Sequence, residues 1–159
     1  MPVIVDGHNL LWAIKHIEQY EPPKNELQLC GFISRYLARI SQWGDIVFDG
    51  TGPAEKAPFD TFANLSVIFA GIGCDADTII EKKIKADSAP KRLVIVSSDR
   101  RIRRAAQVRR AASVKSEQFW QGLEKVLSRK PGPAEPSGKR HGLSESETDN
   151  WMDFFGIGQ

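Results

Sequence analysis

Met1-Pro2-Val3-Ile4-Val5-Asp6-Gly7-His8-Asn9 passes from an apolar, β-rich run to a polar turn within nine residues. Pro2 to Val5 reads as a strand buried on both faces, the pattern of a parallel sheet. A helical pattern begins at Leu10, so Asp6 is placed at the carboxyl end of a central strand. In open α/β sheets that is where ligands bind. Taken alone, Asp6 or Asn9 could equally be a cap for the helix that follows. Two further strands of this chain also end on an aspartate, and they shift the balance towards a site.

Working outward, Leu10, Leu11, Ile14 and Ile17 predict a helix from Leu10 to Tyr20, stopped by Glu21-Pro22-Pro23. Asn25 is placed to cap a second helix with apolar positions at Leu27, Leu29, Cys30, Ile33, Leu37 and Ile40, and Gly44 is placed to end it. Asp45 to Asp49 reads as the second strand, and residues 50–63 as a long loop rich in Gly and Pro. Leu65 to Ala70 is the third strand, and a helix runs from Asp75 to about Ala86. Arg92 to Ser97 is the fourth strand, followed by Asp99 and a basic helix from Arg100 to about Arg109. Ser113 to Lys115 is a short fifth strand and Ser116 to Leu127 the helix after it. Strands alternating with helices predict an α/β fold with a parallel sheet and right-handed crossovers. The expected strand order is 3-2-1-4-5. Asp6 and Asp99 then lie side by side where the winding reverses, with Asp49 one strand further along.

The 159 residues suit one domain with a full core. No run approaches the roughly 20 apolar residues that span a bilayer, and a chain that opens on a strand is expected to lack a signal peptide. Cys30 and Cys74 imply no disulfide framework, which fits a reducing cytoplasm. The net charge of +2 hides an uneven distribution. Twelve Lys or Arg lie between Lys82 and Lys115, opposed only by Asp87 and Asp99. The last fifteen residues hold four acids and no base. A concentrated basic region points to a polyanionic partner. Arg100, Arg103 and Arg104, with Lys82, are the candidate contacts for such a partner, although a solvated helix face accounts for the same charges.

The acidic candidates are Asp6, Asp49, Asp75, Asp77 and Asp99, with Asn9 nearby. Carboxylates crowded at one edge repel, and a divalent cation relieves that repulsion. Hard oxygen donors select Mg²⁺ or Mn²⁺, ions that serve phosphodiester hydrolysis. Each acid also has a plainer explanation. Asp75 and Asp99 are placed to cap helices, and Asp77 sits in a first turn that the helix dipole favours. Capping does not explain why the acids converge on one sheet edge. His8 reads as a hydrogen-bonded neighbour of the acids. No Cys/His set has zinc spacing. Gly71-Ile72-Gly73 lacks the third glycine of a dinucleotide loop, and there is no Walker loop, so no nucleotide cofactor is expected.

The segments Ile4-Val5-Asp6-Gly7-His8-Asn9-Leu10, Val47-Phe48-Asp49-Gly50, Ala76-Asp77-Thr78-Ile79-Ile80-Glu81 and Val96-Ser97-Ser98-Asp99-Arg100 together resemble the NYN domain family, specifically its YacP-like branch. The resemblance covers about residues 1–128. It implies a PIN-like three-layer fold with helices on both faces of the sheet, and a Mg²⁺- or Mn²⁺-dependent endoribonuclease. It also implies a link to mRNA decay and the ribosome. Carried over, Asp6, Asp77, Asp99 and Asn9 are the expected catalytic residues, and Asp6, Asp77, Asp99 and Asp49 the expected metal ligands. Asp75 falls where the branch varies.

Two other readings use the same residues. One is an RNA- or ribosome-binding module whose PIN-like site is inactive. Loss of Asp6, Asp77 or Asp99 would favour it, and all three are present. The other is a metal phosphatase, since Asp75-Ala76-Asp77-Thr78 has the DxDx(T/V) form, but it opens a helix instead of closing the first strand. Beyond the expected 1–128 nuclease domain, residues 129–142 read as a linker too polar to bury a core. Residues 143–159 read as a short acidic helix with Trp151, Phe154 and Phe155 on one face.

Overall fold

The computed structural model describes residues 2–17 and 21–129. The sheet is parallel and five-stranded, in the expected order. Its strands are β1 (Pro2–Asp6), β2 (Trp43–Phe48), β3 (Leu65–Phe69), β4 (Val94–Val96) and β5 (Ala112–Val114). Five α-helices connect or follow them: α1 (Gly7–Lys15), α2 (Glu26–Arg39), α3 (Ala76–Ala86), α4 (Arg100–Val108) and α5 (Ser116–Ser128). Short 3₁₀ turns lie at Ala57–Thr61 and Pro90–Arg92. The first of these breaks up the expected loop and buries Phe59 edge-on against Phe69, with ring centroids 5.2 Å apart.

Strand periodicity divides the apolar residues between two cores. Val3, Val5, Ile46, Phe48, Val94 and Val96 face α1, α2 and α5, where Leu10, Ile33, Tyr36, Phe119 and Trp120 meet them. Ile4, Val47 and Ile95 face α3 and α4, where Ile80, Ile84, Ile102 and Ala106 meet them. The helices therefore cover both faces, as the resemblance implies.

Three helix boundaries differ from expectation. Helix α1 starts at Gly7, three residues before Leu10, so β1 passes into it without a loop. A Cβ at Gly7 would lie 2.3 Å from the Phe48 ring, so only glycine lets the strand end and the helix start pack this closely. The side chains of His8 and Asn9 bond to neighbouring chain segments and leave the helix's own backbone free to continue. Helix α1 ends at Lys15, short of the expected Tyr20, and residues 18–20 lie outside the described ones.

Gly44 does not end α2. It lies within β2, where a Cβ would meet the Val3 carbonyl oxygen at 2.3 Å. Ser41 ends the helix instead, at φ 55°. The N–H groups of Gln42 and Ser41 then reach back to the carbonyls of Leu37 and Ala38, the Schellman arrangement. Apart from Arg129, the expected linker over 129–142 and the acidic-aromatic helix over 143–159 lie outside the described residues. Among the described residues no helix is long and apolar enough to cross a membrane.

Candidate active site

The register carries Asp6 to the end of β1, opposite Val47 of β2, with β4 on its other side. Asp6 holds the N-cap position of α1 but makes no side-chain cap bond. Instead, its Oδ2 accepts from the Ser97 hydroxyl at 2.9 Å. Asp6 is only 5% exposed. Burial pushes its carboxyl up to about 6; Asp77 and Asp49 add to the rise and the Ser97 hydrogen bond opposes it.

Ser97 also accepts the Asp99 N–H at 3.1 Å, so one hydroxyl links the end of β1 to the residue that opens α4. Asp99 caps that helix: its Oδ1 accepts from the N–H groups of Arg101 (2.8 Å) and Ile102 (3.3 Å). Its second oxygen has no hydrogen bond among the described residues. Asp49 is likewise half committed, its Oδ1 accepting the Ala76 N–H at 2.8 Å. Asp75 caps α3 through the Thr78 N–H at 2.7 Å, as the plainer explanation holds. Its carboxyl is held below the usual range, first by that side-chain bond.

Asp77 follows one residue into α3 and makes no hydrogen bond among the described residues. Its carboxyl is pushed up by partial burial, then by Asp99, Asp75 and Asp49, while Arg101 opposes the rise. Asp6 and Asp77 thus each feel other acids of the group. Among the described residues no three His, Cys, Asp or Glu side chains stand close enough together to hold an ion as placed. The donor chemistry nonetheless fits a hard divalent cation: an all-carboxylate set whose members raise one another's affinity for a positive charge.

Asn9 does a different task from the acids. Its Oδ1 accepts both the Ser98 N–H (2.9 Å) and the Ser116 hydroxyl (2.7 Å). The Ser98 hydroxyl donates to Glu117 at 2.7 Å and accepts the Ser116 N–H. Asn9 therefore ties the β4 exit to the first turn of α5. Ser97 and Ser98 fall in a segment that carries the resemblance, but their bonding, like Ser116 and Glu117 altogether, had no signal in the sequence, because the partners lie apart along the chain.

The basic helix is not uniformly free. Arg101 is locked onto Glu81 through its Nε (2.8 Å) and Nη2 (3.1 Å) and lies 3.8 Å from Asp75. Arg100 and Arg104 are exposed, Arg103 is half-buried, and Lys82 of α3 is exposed. Between α3 and α4 runs a groove of about 440 Å³, lined by Lys85, Arg101, Arg104, Val108 and Arg109 among others. Glu81 lines it as well, and of its lining residues Arg101 reaches one of the acids, lying 3.8 Å from Asp75.

The structure is that of a parallel α/β domain with acids at the carboxyl ends of its strands. The chain belongs to the YacP-like NYN domain family, whose model matches residues 3–153. The fold is similar to crystal structures of Rae1 (YacP) from Bacillus subtilis. The unmodified protein gives a TM-score of 0.62 at 20% identity, over 80% of this chain and 75% of that one. A single-substitution mutant gives 0.61 at 20% identity, over 80% and 77%. At that identity the likeness speaks for the fold. No curated protein sequence matches the chain.

Proposed function

We propose that this protein is a Mg²⁺- or Mn²⁺-dependent endoribonuclease that hydrolyses RNA phosphodiester bonds, acting in mRNA decay at the ribosome. The observation that carries this is Asp6: a carboxylate buried at the switch point, with its pKa raised by burial and by the acids beside it. An acid kept there without a cation of its own costs stability, and a nuclease centre explains why it is retained.

Asp6, Asp77, Asp99 and Asp49 would hold the ion. When bound, it supplies an activated water and neutralises charge at the leaving oxygen. The chain's own groups do the rest. Ser97 fixes the Asp6 carboxylate, and the cap bonds of Asp99 engage one of its oxygens and leave the other without a hydrogen bond among the described residues. Asn9 holds the loop that carries Asp99. Arg100 and Arg104 attract the phosphates of the strand, with Lys82 and Arg103 on the flanks.

The test is cleavage of a single-stranded RNA and a DNA of the same sequence with Mn²⁺, using wild type, Asp6→Asn and Asp77→Asn. Wild type should cut RNA and lose activity in EDTA. Both variants should lose at least about a hundredfold, which is about 3 kcal/mol in the barrier, without a lower melting temperature. RNA binding with no Mn²⁺-dependent cleavage by wild type would favour the inactive binding module. Full turnover in both variants would sink the site assignment.

A further inference from the structure

Among the described residues, His8 is the one near the acidic edge whose two ring nitrogens are both committed. It lies in the first turn of α1, its ring tilted against Phe48 with centroids 5.2 Å apart. Its Nδ1 accepts the backbone N–H of Asp49 at 3.2 Å. A backbone N–H can only donate, so Nδ1 carries no proton and Nε2 carries one. Nε2 then donates to Glu26 Oε1 at 3.3 Å. Glu26 opens α2, and its carboxyl is held below the usual range, first by its own backbone N–H and also by His8. The acid selects the tautomer that leaves Nδ1 free to accept.

Asp49 needs that acceptor. It lies just past the end of β2, more than half exposed, before Gly50 at φ 77°. On either side, the carbonyls of Phe48 and Gly50 accept from Ala70 and Gly71 at the exit of β3. The Asp49 N–H takes no part in those bonds and turns to α1. The Asp49 carboxylate divides its oxygens: Oδ1 receives the Ala76 N–H, the first of α3, while Oδ2 lies 3.9 Å from the same His8 Nδ1. One residue on is Asp77. A chain of contacts therefore runs Glu26, His8, Asp49, Ala76, Asp77, crossing from one helical layer of the sheet to the other.

We propose that His8 is a positioning residue: by accepting the Asp49 N–H it fixes the Asp49 carboxylate on α3 and so sets where Asp77 meets Asp6. This rests on the nuclease reading above. The role is carried by the acceptor at Nδ1, not by the bulk of the ring. Asn places an amide oxygen close to where Nδ1 stands, whereas Phe keeps the ring on Phe48 and removes the acceptor.

The experiment uses the full chain as wild type, His8→Asn and His8→Phe. Free Mn²⁺ is measured by electron paramagnetic resonance without RNA, kcat and KM on single-stranded RNA, and the exchange rate of the Ala76 amide without metal. His8→Phe should bind Mn²⁺ about tenfold more weakly, as loss of an outer partner of a ligand does. Its kcat should fall with KM unchanged, and the Ala76 amide should exchange faster. His8→Asn should restore all three towards wild type. Should His8→Phe not fold, Glu26→Ala frees the ring without removing it, and the same losses are expected, partly restored in Glu26→Gln. Equal Mn²⁺ affinity and Ala76 exchange in His8→Phe and wild type would overturn the proposal. So would a His8→Asn variant as impaired as His8→Phe. If wild type neither binds Mn²⁺ nor cuts RNA, the nuclease reading fails, and Ala76 exchange in the variants still decides the positioning.

Discussion

The α1–α2–α5 layer hides Trp120, Tyr36 and Phe119 against the sheet, with Tyr36 and Phe119 meeting edge to face at 5.4 Å. The α3–α4 layer covers the opposite face with aliphatic residues, Ile80, Ile84, Ile102 and Ala106, and turns Lys and Arg outward. It is braced by ion pairs, Lys83 to Asp45 at 3.0 Å and Arg101 to Glu81. Large aromatic rings bury more area per residue and carry more of the stability. Exposed cations contribute little to folding but much to the field a polyanion meets. The first layer thus holds the sheet, and the second presents it. The acids lie on the edge between them, where each layer supplies part of the support.

The sharpest way to break that division is Trp120→Ala. A fully buried Trp cut to Ala should cost about 3–5 kcal/mol in urea unfolding, against about 1 kcal/mol for Ile102→Val in the other layer. Equal costs would show that the two layers share the load. Asp6→Asn comes next and has the opposite sign. The folded carboxyl titrates at about 6 against an ordinary 3.8, so the folded state holds its proton more tightly. Wild type therefore loses stability as pH rises from about 4 to 6, by up to about 3 kcal/mol. In EDTA, Asp6→Asn should be the more stable protein by that amount at pH 7.5 and should match wild type below pH 4. A flat difference across pH would show that the buried acid is not strained. Asn9→Ala should cost about 1–3 kcal/mol, because the Ser98 N–H and the Ser116 hydroxyl lose their shared acceptor. A loss below 0.5 kcal/mol, roughly the effect of an ordinary surface change, would mean that water replaces Asn9 there.

The sheet was legible because its strands are buried apolar runs bounded by Asp, Gly and Pro, and the order of elements leaves few ways to wind them. The strand-end acids were legible for the same reason: a residue just past a β run has only one edge to occupy. Asp75 as a cap was legible from residue type. The stop of α2 was not, because Ser41 takes a left-handed conformation usually given to glycine, while Gly44 is spent on a close strand contact. The serine network was not legible either. Asp6 and Ser97 are 91 residues apart and Asn9 and Ser116 are 107 apart, and neither pair leaves a local pattern. Nor could charge alone separate Arg101, which is spent on Glu81, from Arg104, which is free to meet a phosphate.

That last distinction gives the smallest effect and the finest test of the second layer. Arg100 and Arg104 are exposed and make no hydrogen bond or ion pair among the described residues, so each can release a counterion when it meets a phosphate. Each contact with a single strand steepens the dependence of log K on log salt by about 0.7. The double variant Arg100→Ala, Arg104→Ala should therefore flatten the slope by about 1.4. Its effect on urea unfolding should stay within about 0.5 kcal/mol, as for surface changes generally. The comparison is Arg101→Ala with Glu81→Ala, which removes a cation together with the anion that already neutralises it. That pair should leave the salt slope near wild type. Equal flattening in both would mean that α4 acts as a diffuse positive field. No flattening in the first would take this helix off the RNA path and leave the second layer without its proposed task.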